Sequence, residues 1–395
     1  MYVYADNAAT TAMSPAALSA TIAAMQECYG NPSSLHSIGQ EAAEKLEAAR
    51  ATMAAGIHAQ PREIYFTSGG SEADNQAIFS AALQGKKKGK MHIISTNIEH
   101  HAVLHTLKRL EKEGWEVTLL PVDKDGMISA QQVADAIRED TCLVSIMFAN
   151  NEIGTIQPVA EIGAICREKG VLFHCDAVQA AGHLPIDVEA MQIDMLSLAA
   201  HKFHGPKGVG LLYVRKGIIL HNLIEGGAQE RGKRAGTEYL PGIIGMAAAF
   251  QDGLDRMEEN TAYVQKLRDK LIQGLSGIPH SILNGHPEKR LPGNVNMCFE
   301  GIEGESLLLW LDQNGIAASS GSACTSGSLD PSHVLLALGR PHEVAHGSLR
   351  LSLSEYNTEE EVDHIIATVP KVVEYLRGIS PVWEKLVKGE LPHVI

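Results

Sequence analysis

Cysteine is rare and unpatterned in this chain. Its six residues, Cys28, Cys142, Cys166, Cys175, Cys298 and Cys324, include no C-x-x-C pair, which removes the usual zinc-ribbon and dithiol redox readings. Basic residues are in deficit: 33 Lys and Arg stand against 47 Asp and Glu, a formal net charge of −14. Nucleic-acid phosphates and anionic lipid would repel such a chain, so no nucleic acid and no membrane are expected as partners, and small molecules or proteins are favoured. No apolar run approaches membrane-spanning length. The start, Met1-Tyr2-Val3-Tyr4-Ala5-Asp6-Asn7, has no basic segment followed by an apolar core and does not read as a secretory signal. A reducing cytoplasm is the expected setting. Internal repeats and low-complexity linkers are missing as well.

What the sequence does have is alternation. With 395 residues, 45% of them apolar, the chain can bury a large core and form two domains. Short apolar runs at 63–67, 91–95, 116–121, 142–149, 171–175, 193–198 and 209–214 read as strands. Helical patterns separate most of them, at 38–57, from the early 70s to about Leu83, at 102–113, 129–138 and 159–169. Strands alternating with helices predict a mainly parallel sheet covered on both faces, with ligands gathered at the carboxyl ends of the strands. The pattern changes after about residue 256, which predicts a large domain over 15–255 and a smaller α+β domain from 1–14 and 256–395. The run Lys86-Lys87-Lys88-Gly89-Lys90 reads as a solvated loop. Thr358-Glu359-Glu360-Glu361 reads as the capping box of a helix that Pro370 should kink or end.

Chemistry concentrates at several of those strand ends. In Ser197-Leu198-Ala199-Ala200-His201-Lys202-Phe203-His204-Gly205-Pro206-Lys207-Gly208 a strand gives way to a turn, placing Lys202 at the mouth of the sheet. A partly desolvated lysine there, its pKa drawn down from ~10.4 to ~7–8, can form an imine with a carbonyl compound. Most loop lysines are simply solvated, so the case rests on what stands beside it. Ser68-Gly69-Gly70-Ser71 opens a helix and can bind an anion through free N–H groups and the Ser71 hydroxyl. Ser71, His100, Asn151, Asp176 with Gln179, and Lys202 would all converge on one crevice.

Two further stretches stand out. Ser319-Ser320-Gly321-Ser322-Ala323-Cys324-Thr325-Ser326-Gly327-Ser328 is a Ser/Gly loop with one thiol in its middle, whereas Cys142, Cys166 and Cys298 fall on strand or helix patterns that suit core packing. No Lys or Arg lies in the loop, so a tertiary neighbour must generate the thiolate. His342-Glu343-Val344-Ala345-His346 matches the H-E-x-x-H zinc motif, but Pro341 before it and Gly347 after it allow only a short helical segment, so no structural metal is expected. His100, His101 and His105 read as one functional histidine and two on a helix surface, and Arg350 as a clamp for a substrate carboxylate.

Taken together, the residues resemble the cysteine desulfurases, the NifS-like and IscS-like branch of pyridoxal-phosphate enzymes with the aspartate aminotransferase (fold type I) architecture. The resemblance rests on Asp6-Asn7-Ala8-Ala9-Thr10-Thr11, Gly30-Asn31-Pro32-Ser33-Ser34-Leu35-His36, Phe66-Thr67-Ser68-Gly69, Asn150-Asn151-Glu152-Ile153-Gly154, His201-Lys202 with Gly205-Pro206-Lys207-Gly208, Arg234-Ala235-Gly236-Thr237 and Ser322-Ala323-Cys324-Thr325-Ser326. It implies an α/β fold with a mainly parallel seven-stranded sheet in a large domain plus a smaller α+β domain, and pyridoxal 5′-phosphate as cofactor. Lys202 would hold the cofactor and move the substrate Cα proton, Asp176 would pair with its ring nitrogen, Gln179 would bond the ring oxygen, and His100 would stack on the ring. Gly70, Ser71, His201 and, from a second subunit of a homodimer, Thr237 would hold the phosphate; Asn151 and Arg350 would take the carboxylate of L-cysteine. Cys324 would accept the sulfur as a persulfide, and could contact an iron–sulfur cluster while passing it to a scaffold or other acceptor protein. The same fold also serves selenocysteine lyases, class V aminotransferases and non-catalytic scaffolds. One departure is Ala199, where the family usually carries a serine three residues before the lysine.

Overall fold

The computed structural model describes residues 1–320 and 331–395. Its strands are β1 (Val3–Tyr4), β2 (Ile64–Thr67), β3 (His92–Thr96), β4 (Glu116–Leu120), β5 (Thr141–Ser145), β6 (Leu172–Asp176), β7 (Met195–Ala199), β8 (Gly210–Val214), β9 (Ser281–Leu283), β10 (Asn294–Phe299), β11 (Ile316–Ala317) and β12 (Ser348–Ser352). Seven form one sheet in the order β2-β8-β7-β6-β5-β3-β4. Only β8 runs antiparallel to its neighbours in that sheet. The reason is visible in side-chain alternation. Ile94, Val144, Leu196 and Leu211 point into one apolar core, and Ile93, Leu143, Met195 and Leu212 point into another on the opposite face. Both faces of the central strands are therefore closed to water, the condition under which parallel strands are stable.

A separate core gathers Val3 and Ala5 with Leu267, Leu271, Val295, Phe299, Leu349, Leu351, Val369 and Val373. It is framed by the antiparallel sheet β12-β10-β9 and the parallel pair β1-β11. The first residues of the chain thus belong with the last third, and only then cross to the large sheet: Thr11 N–H donates to the His201 carbonyl at 2.9 Å.

One expectation is refined and two are corrected. The strand read over 142–149 has its regular part at Thr141–Ser145, and its pairing with β6 continues through the N–H groups of Ile146, on the His174 carbonyl at 3.1 Å, and of Phe148, on the Asp176 carbonyl at 2.8 Å. Beyond it the backbone turns, with Asn150 Oδ1 accepting from the N–H of Glu152 at 2.9 Å and of Ile153 at 3.0 Å, and with Gly154 at φ +78°, where a Cβ would strike the Asn294 side chain. The helix beginning at Gly70 runs to Lys87, so Lys86 and Lys87 form its last turn rather than a loop; cations there face the negative end of the helix dipole. Pro370 does not end the helix Glu359–Gly378, which runs through it. The lost hydrogen bond is offset by the stripe Val362, Ile365, Val369, Val372, Val373 and Leu376, each worth ~1.5–3 kcal/mol when fully buried.

Candidate active site

The carboxyl ends of β6 and β7, the start of the helix Gly70–Lys87 and the N-terminal segment enclose a crevice of about 420 Å³, a size typical of small-molecule sites. Lys202 closes the single 3-10 turn that follows β7. That turn is held against the sheet by Ala200, whose Cβ lies 2.8 Å from where a Cβ on Gly205 would stand, so only glycine fits there. The Lys202 ammonium donates to the carbonyls of Ala8 at 2.6 Å and Ala9 at 2.8 Å. Gln179 Nε2 donates to the same Ala8 carbonyl at 2.9 Å. The N-terminal segment is thereby part of the wall.

Asp176 ends β6 and accepts from the Val178 N–H at 3.0 Å. Burial pushes its carboxyl up to about 6, opposed by that bond and by the Lys202 charge. His100 caps the helix His101–Lys112, its Nδ1 accepting from the Ala102 N–H at 3.1 Å. The neutral ring thus carries its proton on Nε2. Burial, then the Lys202 charge, pushes His100 down to about 4, and His201 is lowered to about 4 for the same reasons. His101 and His105 stack at 4.9 Å between centroids, and His333 adds a third ring 4.8 Å from His101.

The helix Gly70–Lys87 has no side-chain N-cap bond, so its first N–H groups face the crevice beside Ser71 as donors for an anion. A Cβ on Gly70 would lie 2.6 Å from Val178 Cγ2, so the close approach of backbone and crevice wall requires glycine. Asn151 lines the crevice, and its carbonyl accepts from Arg350 Nη1 at 3.2 Å. Arg350, 1% exposed, also donates from Nη2 to Asp6 Oδ1 at 2.8 Å. Gly70, Ser71, His100, Asn151, Asp176, Gln179, His201, Lys202 and Arg350 all line this one crevice. Thr237 does not; it is exposed on the loop beyond Gly232. Cys324 lies outside the described residues. The residues flanking that segment are placed: Ser319 pairs through its backbone with Arg350, the Ser348 hydroxyl donates to the Ser320 carbonyl at 2.9 Å, and the Ser332 hydroxyl bonds Glu152 next to Asn151.

Sequence reasoning missed two acids. Asp74, 1% exposed, lines the crevice one helical turn after Gly70, with Oδ1 3.5 Å from His174 Nε2. Burial and the neighbouring Asp176 raise its carboxyl well above the usual range. Glu99, fully buried, accepts from the Thr96 hydroxyl at 2.6 Å and the Met147 N–H at 3.1 Å, and burial pushes it up to about 8. A charged letter inside the Ala73, Ala77, Ala81 stripe was the available signal for Asp74; nothing in the sequence marked Glu99. The H-E-x-x-H stretch forms a five-residue helix, His342–His346.

A lysine at a strand end, a buried carboxylate beside it, a neutral histidine and an open helix N-terminus suit an aldehyde cofactor with a ring nitrogen and a phosphate. The sequence model of the family described as aminotransferase class-V matches residues 3–365. The chain belongs to the class-V aminotransferase family. Its cofactor is pyridoxal 5′-phosphate, and the donor set fits: free N–H groups for the phosphate, Asp176 for the ring nitrogen and Lys202 for the aldehyde carbon. Among class-V relatives, "Cysteine desulfurase IscS" of Methanosarcina thermophila is 55% identical over 383 residues, 97% of this chain and 95% of that one. "Cysteine desulfurase IscS" of Clostridium botulinum is 53% identical over 391 residues, 98% of each. A solved structure titled "NIFS-LIKE PROTEIN" superposes with a TM-score of 0.89 at 41% identity, covering 95% of this chain and 100% of that one. Among the described residues no helix is long and apolar enough to cross a membrane.

Proposed function

We propose that this class-V enzyme is a pyridoxal-phosphate-dependent cysteine desulfurase that converts L-cysteine to L-alanine and leaves the sulfur as a persulfide on Cys324. One juxtaposition carries the reading. Lys202, Asp176, His100 and Arg350 line one crevice, and Ser319, Ser320 and Ser332, on either side of the segment that holds Cys324, are bonded to the Arg350 strand and to Glu152 at its edge.

When bound, the cofactor supplies an electron sink that weakens the Cα–H and Cβ–S bonds of the attached amino acid. Asp176, buried in the crevice wall, keeps a negative charge against the ring nitrogen, where the low local dielectric makes the attraction strong. Arg350, already oriented by Asp6 and the Asn151 carbonyl, receives the substrate carboxylate with Asn151. Lys202 moves the Cα proton, and His100, neutral with its proton on Nε2, stacks over the crevice and serves proton transfer. Gly70, Ser71 and His201 hold the phosphate, joined by Thr237 of a second copy in a homodimer. Cys324 attacks the substrate sulfur: an S–S bond forms as Cβ–S breaks, and the carbon takes up a proton to give alanine. An iron–sulfur scaffold or another acceptor protein then removes the sulfur, in the cytoplasm. The reading also assigns 15–255 to the cofactor-holding domain and 1–14 with 256–395 to the domain bearing Cys324, supported by the grouping of Val3 and Ala5 with the core of residues 264–376.

The test is the mass of the Cys324 peptide after the purified protein meets L-cysteine without reductant. A gain of one or more sulfur atoms with alanine released is expected. Cys324→Ala should keep the cofactor's colour and lose sulfur transfer; normal turnover in that variant would remove Cys324 from the reaction.

A further inference from the structure

Far from the crevice, at the end of the antiparallel sheet, a buried carboxylate faces two imidazoles. Glu300 follows β10 and is 3% exposed. Its Oε2 lies 2.7 Å from His393 Nδ1 and 3.4 Å from His280 Nδ1, and its Oε1 accepts from the Val394 N–H at 2.8 Å. His280 Nδ1 also stands 2.8 Å from the Ile395 carbonyl. Among the described residues, His280, Glu300 and His393 are the group of three such side chains whose ligand atoms all lie within 4.8 Å of one another.

The surroundings hold this trio in place. Arg377 donates to the carbonyls of Pro279 at 2.8 Å, His280 at 2.9 Å and Glu300 at 3.0 Å, tying the two chain segments together. Its guanidinium also lies over the Trp383 ring. The three hydrogen bonds go to backbone carbonyls and none to the Glu300 carboxylate. Trp383 stands edge-on to both His280 and His393, at 5.5 and 5.7 Å, and His280 is held at φ +52°, a region L side chains seldom occupy. A buried carboxylate needs hydrogen bonds and positive charge nearby, part of which the Arg377 guanidinium supplies. The ion pairs that Glu300 makes among the described residues are with the two imidazoles.

We propose that His280, Glu300 and His393 bind one divalent transition-metal ion of the zinc class, fastening the segment 391–395 to the second core. Two imidazoles and one carboxylate are ligands for such ions, and water completes the shell. The Val394 N–H on the second carboxylate oxygen orients the ligand from outside. Binding takes each imidazole as the neutral tautomer with its proton on Nε2, so the ion replaces the Nδ1 protons now facing the Ile395 carbonyl and the Glu300 carboxylate; the two rings now stack at 3.8 Å, and the exposed His393 turns to bring its Nδ1 into line with the ion. His280 and Glu300 lie within residues 3–365 matched by the class-V family model, and His393 lies beyond them, so the site joins the matched body to the segment that follows it.

The experiment is a Co²⁺ titration of the cofactor-loaded enzyme after dialysis against a chelator, followed by the visible bands of the bound ion and by amide hydrogen exchange over 391–395. One equivalent should bind without the intense thiolate-to-metal absorption, and exchange in 391–395 should slow. Losing an outer-shell partner costs about 10–100-fold in affinity, so His393→Gln and Glu300→Gln should each lose at least that much. His393→Gln changes an exposed residue and keeps the test valid should Glu300→Gln destabilise the sheet. Binding should survive in Cys324→Ser and in His342→Gln/His346→Gln. Absence of binding, unchanged affinity in His393→Gln, or loss of binding in either control variant would overturn the proposal.

Discussion

Ala199 is the position where this crevice departs from the pattern of the proteins it resembles, and replacing it gives a quantitative test of the phosphate seat. It ends β7, is 2% exposed, and its Cβ lies 3.7 Å from where a Cβ on Gly70 would stand. A hydroxyl there would point toward the helix N-terminus that receives the anion. With phosphate bound, the new hydrogen bond to a charged oxygen contributes ~1.5–3 kcal/mol, against ~1 kcal/mol for a neutral one. Without phosphate the hydroxyl sits at the wall of a crevice that water can enter, so the penalty of an unsatisfied group is largely relieved. Allowing for the water it displaces, a net gain of about 1–1.4 kcal/mol remains, or roughly five- to tenfold in affinity. Apo-protein prepared as Ala199→Ser and titrated with pyridoxal 5′-phosphate should therefore show a dissociation constant lower by that factor, read from cofactor absorbance or intrinsic fluorescence. An unchanged or weaker constant would refute the assignment of the phosphate to the Gly70–Ser71 turn, or show that another group already fills the place.

Glu230→Gln should be costly for the fold. Arg50 meets both Glu230 oxygens at 2.8 Å with both side chains almost fully enclosed, and Glu230 also accepts from the Phe66 N–H at 2.9 Å; breaking this pair leaves the buried guanidinium only the largely exposed Glu47, 2.9 Å from its Nε, as a charged partner, at about 3 kcal/mol, the low end for a broken buried pair. Urea unfolding of the cofactor-loaded protein would report it, and a loss under ~1 kcal/mol would show that the pair is replaced by water. Glu99, pushed up to about 8 by burial, binds its proton more tightly folded than unfolded, so its contribution is fully present below the unfolded carboxylate pKa of ~4.3 and is lost as pH rises from there to about 8. Glu99→Gln should flatten the fall in stability across that window; a slope identical to the parent's would place the titration elsewhere.

Much of the fold was legible because strands buried on both faces leave continuous apolar runs, and helices between them leave an amphipathic period. The strand-end residues could be named for the same reason: a parallel sheet sends the residues after β5, β6 and β7 to one edge. What the sequence did not show depends on packing across distance. Asp74 looks like an ordinary polar residue of a helix until the helix is laid against β6 and β7, and Glu99 becomes an acid kept protonated only when the sheet closes over it. Pro370 breaks helices in isolation, yet the buried stripe on either side of it outweighs one missing donor. The strand that holds Cys142 pairs with β6 as far as Phe148 and gives way to a turn where the Asn150 side chain bonds the N–H groups of Glu152 and Ile153.

The N-terminal segment has a consequence for biosynthesis. The carbonyls of Ala8 and Ala9 that receive Lys202 are positioned by a stretch whose own partners are Ile316, Ala317 and Ser352, so residues 3–9 cannot settle until residues 316–352 have emerged. At ~5–20 residues per second, the interval is roughly 15–70 s. The large sheet can close during that time, but the crevice cannot. A nascent chain therefore stays unable to act on substrate, and its crevice stays open on one side, until residues 316–352 have emerged.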